Sequence, residues 1–343
     1  MKASKIIATV LILATLCALL PSCSGVGRYQ SVYYDLFDTV TVISGYANTA
    51  EDYNESVSML HSELLTCHRL FDIYHEYEGI NNLATVNKNA GLSPVTVDER
   101  IIELLSQAKA AYERTDGAVN VAMGALLKVW HKYRTEDNNE LPSGKELEKA
   151  AEHISIDSLV IDPDKSTVYI TDPEASLDMG ALAKGYACDR AYKMLGQSGM
   201  ISACINLGGN VLTYGEKPNG EGGWNVGIQS PDSEGYLFDL EVCNKSVVTS
   251  GDYHRYYTVD GKDYHHIIDP QTRYPATHYT QVTVICESSL DADILSTALF
   301  VLDLEKGERI ADEYGAAVVW IEKDGTVRKN SKAEEIIEGA DRE

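Results

Sequence analysis

A carboxylate and a hydroxyl stand four residues apart in the segment DADILSTALFVL. Asp293 and Thr297 belong to a stretch in which Leu295, Leu299 and Leu302 predict one apolar face of a helix. Residues at i and i+4 project from adjacent turns on the same side, so the two side chains could share one ligand. Mg²⁺ takes oxygen ligands of this kind and keeps positions open for substrate phosphates. The same residues could instead cap the helix and bond to its backbone, and spacing alone leaves that alternative open.

Two adjacent histidines form the second candidate group. His265 and His266 lead the apolar strand HHIIDP, and side chains alternate along a strand, so only one of them can face a shared pocket. A histidine near its ordinary pKa is the usual general base at neutral pH. Either histidine could equally be structural, and Asp269 before Pro270 could simply form a turn.

A third polar group lies in residues 176–195, SLDMGALAKGYACDRAYKML, which predict a strand, a tight turn and a helix. Asp178 ends the apolar run, and Gly180 and Gly185 allow a backbone to approach a bound group closely. Lys184 supplies a cation where the helix begins. Apolar residues at 187, 191, 194 and 195 turn one face of this helix to a sheet. The arrangement suits a ligand that carries phosphate.

Charge restricts the partners of this chain. Its 343 residues include 52 acidic and 29 basic ones, for a formal net charge of -23 and a pI of about 4.7. This charge repels the backbone of nucleic acids, and no cluster of basic residues interrupts it, so nucleic acid is not an expected partner. A bound polyphosphate would need a metal ion or local donors.

The N-terminus has the pattern of a secretory signal, because Lys2 and Lys5 precede an apolar run over residues 6–20. Residues 20–23, LPSC, resemble the bacterial lipoprotein signal, in which the cysteine is lipidated after cleavage. Pro21 is unusual in that motif, and an ordinary signal peptide with an incidental cysteine is the alternative. We expect residues 1–22 to be a lipoprotein signal peptide and Cys23 to carry the lipid.

The predicted signal peptide also defines where the tether and the domain of the mature protein begin. Residues 23–30 would form a tether and residues 31–343 a single domain, held in the bacterial cell envelope outside the cytoplasm by a membrane anchor at its N-terminus. Five cysteines remain in that domain, an odd number without a C-x-x-C pair, so neither a disulfide framework nor a zinc site is expected. We expect them to be small buried residues.

Hydrophobic periodicity predicts an α+β fold with a mixed, largely antiparallel sheet and flanking helices. Residues 33–46 read as a strand or hairpin arm. The predicted helices are residues 49–74, 98–114, 290–302 and 304–314. The other predicted strands are residues 159–161, 167–170, 201–206, 224–229, 236–242, 255–259 and 281–286, with a final strand at 316–322. Residues 249–255 and 206–210 are interpreted as polar turns.

In their order along the chain, these segments resemble the ApbE-type FAD:protein FMN transferases. The matching motifs cover nearly the whole mature chain: TDGAVN at 115–120 with Trp130, LDMGALAKGYACD at 177–189, INLGGN at 205–210, WNVGIQSP at 224–231, TSGDYHRYY at 249–257, HIIDPQT at 266–272 and DADILSTALFVL at 291–302. The resemblance implies that FAD binds with Mg²⁺ on its pyrophosphate. A Ser or Thr hydroxyl of a client protein then attacks the FMN phosphorus, and AMP leaves.

The resemblance also implies a role for each matching residue. His266 would be the general base, and the client would be a subunit of a membrane redox complex. The metal would be held by Asp293, Thr297 and the backbone carbonyl of Ala181. FAD would be contacted by Asp178, Lys184, Phe37, Ala118, Val119, Asn120 and Ile267.

The chain departs from the family pattern at a few positions besides Pro21. Phe37-Asp38-Thr39 stands where the family has M-G-T, Asn120 replaces an aspartate, and Arg273 replaces the glycine after HIIDPxT. Arg273 could alter the turn beside the base or contact a phosphate. Two other functions stay open: a Mg²⁺-dependent FAD pyrophosphatase that uses water in place of the client hydroxyl, and a lipid-anchored flavin-binding protein without catalysis.

Overall fold

The computed structural model describes residues 25–136, 139–231, 235–253 and 255–340. The predicted signal peptide and Cys23 lie outside these ranges. Within them, no helix has both the length and the apolar character that crossing a bilayer requires. The first strand begins at Gly27, since Gly27 pairs with Ala47 and Gln30 pairs with Ser44. The predicted tether of residues 23–30 is therefore shortened by four residues that belong to the sheet.

Eight of the described strands form one sheet, and seven form smaller ladders. The strands are β1 (Gly27–Leu36), β2 (Thr39–Ala47), β3 (Val95–Thr96), β4 (Leu159–Asp162), β5 (Thr167–Ile170), β6 (Met200–Leu207), β7 (Asn210–Tyr214), β8 (Trp224–Gln229), β9 (Tyr236–Val242), β10 (Ser246–Gly251), β11 (Tyr256–Val259), β12 (Lys262–His265), β13 (Tyr279–Cys286), β14 (Ala317–Glu322) and β15 (Val327–Lys329). The main sheet has the order β1-β2-β6-β7-β10-β13-β14-β15. Each neighbouring pair in it is antiparallel. The smaller ladders are β3-β5-β4, β8-β9 and β11-β12.

The described helices are α1 (Ala50–Phe71), α2 (Leu83–Lys88), α3 (Glu99–Arg114), α4 (Gly124–Thr135), α5 (Gly144–Ala151), α6 (Ala183–Leu195), α7 (Ser289–Val301), α8 (Leu304–Tyr314) and α9 (Ser331–Ala340). Side chains of Thr49, Asp98 and Ser288 accept hydrogen bonds from first-turn amides of α1, α3 and α7. These bonds satisfy amides that have no partner inside the helix, and so they fix where each helix begins.

Both faces of the main sheet carry packed layers. Helices α1, α6 and α7 share one hydrophobic core with the sheet, and α7 lies against α6, β10 and β13. Helix α7 is apolar almost all round, which is typical of a helix buried on every side. On the opposite face, β8-β9 and α9 pack over Val247, Ile285 and Val319. The candidate residues of the α6 and α7 segments are therefore held by the most buried part of the molecule.

The predicted α+β fold with a large antiparallel sheet is confirmed, while several local predictions were wrong. Residues 176–178 form only an isolated bridge from Ser176 to Met123 instead of a strand. The turn predicted at 249–255 begins inside the central strand β10. The strand at 316–322 is not the last element, because β15 and α9 follow. The described cysteines are free, and Cys204 and Cys243 are half-buried instead of buried.

Candidate active site

The carboxylate of Asp293 lies at the contact between α6 and α7. Its side chain is 4% exposed, and its Oδ2 accepts a hydrogen bond of 2.8 Å from the backbone amide of Gly185. A Cβ atom on residue 185 would lie 2.5 Å from the Ser289 carbonyl oxygen and 2.7 Å from the Cβ of Asp293. Real Cβ contacts are not that short, so only glycine allows the two helices to approach this closely. Gly185 therefore brings the beginning of α6 onto a buried carboxylate.

The ammonium group of Lys184 faces the same carboxylate. Lys184 Nζ lies 3.7 Å from Asp293 Oδ1 and 3.4 Å from the carbonyl oxygen of Gly180. The amides at the beginning of α6 add partial positive charge on this side. A cation and an amide donor thus face the two carboxylate oxygens of Asp293.

The sequence leaves open the possibility that Asp293 caps the beginning of α7. In the structure, other residues cap this helix. The Ser288 hydroxyl accepts from the Asp291 amide, and Asp189 accepts from the amides of Ser289 at 2.7 Å and Leu290 at 3.1 Å. The hydroxyl that bonds back to the Asp293 carbonyl belongs to Ser296, at 3.0 Å. The capping and back-bonding alternative therefore does not account for Asp293.

Thr297 and Ala181 are the two neutral oxygen donors predicted beside this carboxylate: Thr297 follows Asp293 on α7, and Ala181 precedes α6, whose Gly185 amide donates to Asp293. Thr297 is half-buried and lies one turn after Asp293 on α7. Gly185 lies in the first turn of α6, where amides have no partner within the helix, and its amide donates to Asp293. In the described part of the chain, no three His, Cys, Asp or Glu side chains form a metal cluster. One carboxylate with neutral oxygens and substrate phosphates fits Mg²⁺, and it does not fit zinc.

The two histidines have different surroundings. His265 Nδ1 accepts from the Ile267 amide at 3.2 Å, so its Nε2 carries the proton and donates to the Ala276 carbonyl at 2.8 Å. Its ring also packs against Phe300 with 5.6 Å between centroids. Both nitrogens of His265 are therefore used inside the fold, and His265 is structural.

His266 has a buried Nδ1 without a hydrogen-bond partner among the described residues. Burial, the largest cause, and the charges of Arg255, Arg134 and His265 together lower its pKa to about 3. A hydrogen bond with the Arg255 backbone acts in the opposite direction. The imidazole is therefore neutral at physiological pH, with a nitrogen available to accept a proton.

Asp178 lies in the turn that leads into α6. Its amide donates to the Val121 carbonyl at 2.8 Å, and its Oδ1 accepts from the Gly180 amide at 2.8 Å. Burial raises the pKa of this carboxyl, while the Gly180 amide and the charges of His131 and Arg134 lower it. The preceding residue, Leu177, is clamped at both its amide and its carbonyl by the side chain of Asn87.

Comparison with known proteins identifies the family of this chain. The sequence profile of the ApbE family matches residues 37–320, which is most of the chain. The chain belongs to the ApbE family. The predictions of this family and of a transferase enzyme are confirmed.

Among its ApbE-family relatives is a protein of Klebsiella pneumoniae named FAD:protein FMN transferase, 37% identical over 72% of this chain and 78% of the relative. A protein of the same name from Treponema pallidum is 36% identical over 73% of each chain. The crystal structure of the ApbE protein from Thermotoga maritima superimposes with a TM-score of 0.81 and 28% identity, over 91% of this chain and 99% of that one.

The departure from the ApbE motif M-G-T lies in the hairpin turn between β1 and β2. Phe37 and Asp38 have φ angles of +50° and +52°, as both central residues of a type I′ turn require. Asp38 thus takes a left-handed conformation at the place of the family's glycine. The Phe37 amide donates to His68 Nδ1 at 3.1 Å, and the two rings meet edge to face at 5.6 Å.

The ApbE motif TDGAVN forms a turn before α4, and the second half of this turn is buried. Ala118, Val119 and Asn120 are all buried. The Asn120 side chain donates to the Ile154 carbonyl at 2.8 Å and accepts from the Ala122 amide at 2.9 Å. Both the nitrogen and the oxygen of the Asn120 side-chain amide form hydrogen bonds within the protein. A ligand would therefore contact mainly the backbone of this segment.

Arg273 replaces an ApbE glycine at a position with a φ of +68°. Its carbonyl accepts from Trp130 Nε1 at 2.8 Å, which joins two family motifs that are 143 residues apart in sequence. Its guanidinium Nη1 lies 3.9 Å from Glu148 Oε1. The side chain is therefore directed to a carboxylate on α5, and this partner does not favour the suggested contact with a phosphate.

Sequence reasoning missed Tyr74, Arg134 and Arg255. Tyr74 is 61% exposed, and its ring lies 5.9 Å from that of His131 on α4. Although Tyr74 is largely exposed, partial desolvation of its hydroxyl raises its pKa, and the charges of Asp178, Arg134 and Arg255 also act on it. These residues therefore link the Asp178 turn to the segment after β12 that holds His266. Their positions depend on contacts between distant segments, and no local motif contains that information.

Proposed function

We propose that the protein transfers the FMN part of FAD to a Ser or Thr hydroxyl of a client protein and releases AMP. The observation that carries this proposal is that the chain holds both a buried carboxylate, Asp293, facing the beginning of α6, and a neutral imidazole, His266, whose Nδ1 has no partner among the described residues. The first group suits a metal-bound diphosphate, and the second suits removal of a proton from an alcohol. Relatives that carry the name FAD:protein FMN transferase support the same reaction.

Asp293, Thr297 and the Ala181 carbonyl would hold Mg²⁺. When bound, the metal would neutralise charge on the FAD diphosphate and favour an in-line displacement at phosphorus. Asp293 is suited to this role because its other contacts, Gly185 and Lys184, fix its orientation. Lys184 and Asp178 would contact FAD on the same side, at the beginning of α6.

His266 would accept the proton of the client hydroxyl. The hydroxyl oxygen forms a bond to the FMN phosphorus, the bond from phosphorus to the oxygen of AMP breaks, and AMP leaves as a phosphate monoester. A base with a pKa of about 3 is neutral but weak. The negative charge of FAD beside His266 would raise this pKa towards the range in which imidazole is an effective base.

The flavin ring would lie between the two halves of the site. Phe37 and the backbone of Ala118, Val119 and Asn120 flank it in this proposal, together with Ile267, which follows the base. Ile267 is 7% exposed, so its position is set by the core. Tyr74 offers an exposed aromatic face among these residues.

We further propose that lipidation of Cys23 holds the domain at a membrane of the cell envelope, where a redox-complex subunit is the client. Strand β1 begins at Gly27, four residues after Cys23. Such a short connection would keep the domain close to the bilayer. Replacement of Cys23 by Ala should release the protein from membranes, and membrane retention of this variant would contradict the anchor.

The products formed from FAD distinguish this function from its alternatives. The soluble domain is incubated with FAD, Mg²⁺ and a candidate client subunit, and the mixture is then denatured. Protein-bound flavin fluorescence with an equal amount of AMP supports transfer. Free FMN with AMP would instead support a pyrophosphatase, and unchanged FAD would leave only a flavin-binding protein.

A further inference from the structure

We propose that Arg134 and Arg255 form an anion site beside His266 that holds the phosphoryl group undergoing transfer. This inference rests on the proposed function, and it concerns residues that lie outside the Asp293 region. Its ligand is a phosphate of FAD. Arg134 and Arg255 would stabilise the negative charge that spreads over the phosphoryl oxygens as the bond to AMP breaks.

The β11-β12 hairpin positions Arg255. In its register, Tyr256 pairs with His265, so Arg255 and His266 come next to each other where the ladder ends. The backbone of Arg255 forms a hydrogen bond with His266, and its positive charge acts on the imidazole. Arg255 is exposed, so its guanidinium can reach a ligand at the surface of the site.

Helix α4 positions Arg134 against the same hairpin. Trp130 stacks on Tyr264 of β12, with 6.2 Å between ring centroids and 19° between planes. Arg134 lies one helical turn after Trp130 and so projects from the same side of α4. Tyr257 of β11 belongs to the cluster around Trp130, and it interacts electrostatically with Arg134. The stack therefore carries Arg134 to the hairpin that holds Arg255 and His266.

The carboxylate of Asp178 acts on Arg134 only from beyond ion-pair distance, so the charges of these two arginines are not fully balanced by the protein. In the part of the chain that the structure describes, neither Arg134 nor Arg255 has a carboxylate within ion-pair distance. Among the described residues, Arg134 Nη2 donates a hydrogen bond to His131 Nδ1, at 3.1 Å. By contrast, Lys184 already faces Asp293. Two close cations in a protein with a net charge of -23 mark a local place where a bound anion relieves repulsion.

Phosphate is the anion that the position favours. The base must lie within reach of the hydroxyl that attacks phosphorus, so the phosphoryl group lies close to His266 during the reaction. Arg255, which lies opposite His266 at the end of the β11-β12 ladder, is then close to that phosphoryl group as well. A guanidinium presents paired N–H donors that match two phosphate oxygens, which a lysine cannot reproduce.

The test compares wild type with Arg134→Gln, Arg255→Gln, Arg134→Lys and Arg255→Lys, and with one matched control variant. Arg328→Gln is the control, because Arg328 lies on β15 and pairs with Glu322. Binding of FAD with Mg²⁺ is followed by flavin fluorescence without a client, and transfer is then measured over a range of client concentrations. We expect each Gln variant to lose about tenfold or more in kcat/KM for FAD, with partial recovery in the Lys variants and none of this loss in the control.

A second readout does not depend on transfer. The His266 resonance is titrated by NMR in the absence of ligand, and removal of either arginine charge should raise its pKa. Inorganic pyrophosphate should perturb this resonance in the wild type and much less in the double Gln variant. If the wild type responds in this way yet transfers no FMN, the proposed function fails while the anion site stands.

Two results would overturn the inference. The first is FAD binding and transfer in the Gln variants equal to wild type, with a His266 response to pyrophosphate that does not change. The second is a rise only in the KM for the client, which would mean that the arginines bind an acidic part of the client instead of FAD. Thermal midpoints close to wild type establish that the variants are folded.

Discussion

The backbone amide of Gly185 donates a hydrogen bond of 2.8 Å to the carboxylate of Asp293, 108 residues later in the chain. This bond joins the first turn of α6 to the middle of α7 and defines one half of the site. The other half is His266, which follows β12 and is neutral because burial and nearby arginines lower its pKa. The two halves come from distant segments, so the account makes separate predictions for each.

Replacement of Gly185 by Ala should destabilise the protein and weaken FAD binding. The added Cβ would meet Ser289 and Asp293 at 2.5 and 2.7 Å, and overpacking of this kind costs about 1–3 kcal/mol. Urea unfolding and flavin fluorescence measure the two effects. Gly196→Ala is the matched control, since residue 196 has helical angles and its nearest neighbour for a Cβ lies at 3.7 Å. Equal stability of the two variants would contradict the close approach.

Removal of the Asp189 side chain should loosen α7 and reduce activity without a contact to substrate. Asp189 accepts from the amides of Ser289 and Leu290, and an Asp189→Ala variant leaves these buried donors without a partner. We expect a loss of about 1–3 kcal/mol in the free energy of unfolding, measured with urea. Asp189→Asn retains one acceptor oxygen and should lose less. An Ala variant as stable as wild type would argue against this cap.

The stability of the protein should fall in acid partly because of His266. The unfolded histidine takes up a proton near pH 6.5, whereas the folded one resists protonation until about pH 3. The unfolded state therefore binds more protons between these values, and stability falls as pH decreases through this window.

A His266→Gln variant lacks this contribution and should lose less stability than wild type between pH 7 and pH 4.5, as measured by urea midpoints. His265, whose pKa burial also lowers, is present in both proteins and cancels in the comparison. Parallel acid profiles for the two proteins would contradict a buried, neutral His266.

Substitutions of Arg273 measure how much stability depends on the residue type at this position, where the family has glycine. At a φ of +68°, a β-branched residue is strained, so Arg273→Val should lower stability by about 1–2 kcal/mol. Arg273→Gly should tolerate the angle and retain the Trp130 hydrogen bond, because that bond uses the backbone carbonyl. Thermal midpoints compare the two variants. A Val variant as stable as the Gly variant would contradict the left-handed backbone.

The sequence predicts much of this fold because most elements have a clear local pattern. Helices α1, α3, α7 and α8 and most strands follow from hydrophobic periodicity and capping residues. Strand β10 does not, since Thr249 and Ser250 make it look like a turn. Their hydroxyls are satisfied by Thr283 and Ser296 on neighbouring elements, which no local pattern reveals.

The candidate site was predicted only in part, for a similar reason. Asp293, Thr297, Lys184 and His266 belong to motifs that can be read along the chain. Arg134 and Arg255 acquire their significance from the Trp130–Tyr264 stack and the register of β11-β12. For Asn120, in contrast, the motif predicts a contact with the ligand, but the side chain instead forms hydrogen bonds within the protein.

The most direct measurement of the central claim is single-turnover transfer of FMN to a client subunit by wild type, His266→Gln and Asp293→Asn. Protein-bound flavin and AMP are quantified after denaturation, at several Mg²⁺ concentrations. We predict equal amounts of both products with wild type, at least a hundredfold slower transfer with retained FAD binding in His266→Gln, and loss of Mg²⁺-dependent transfer in Asp293→Asn. Transfer by Asp293→Asn at close to the wild-type rate, with the same Mg²⁺ dependence, would contradict the account.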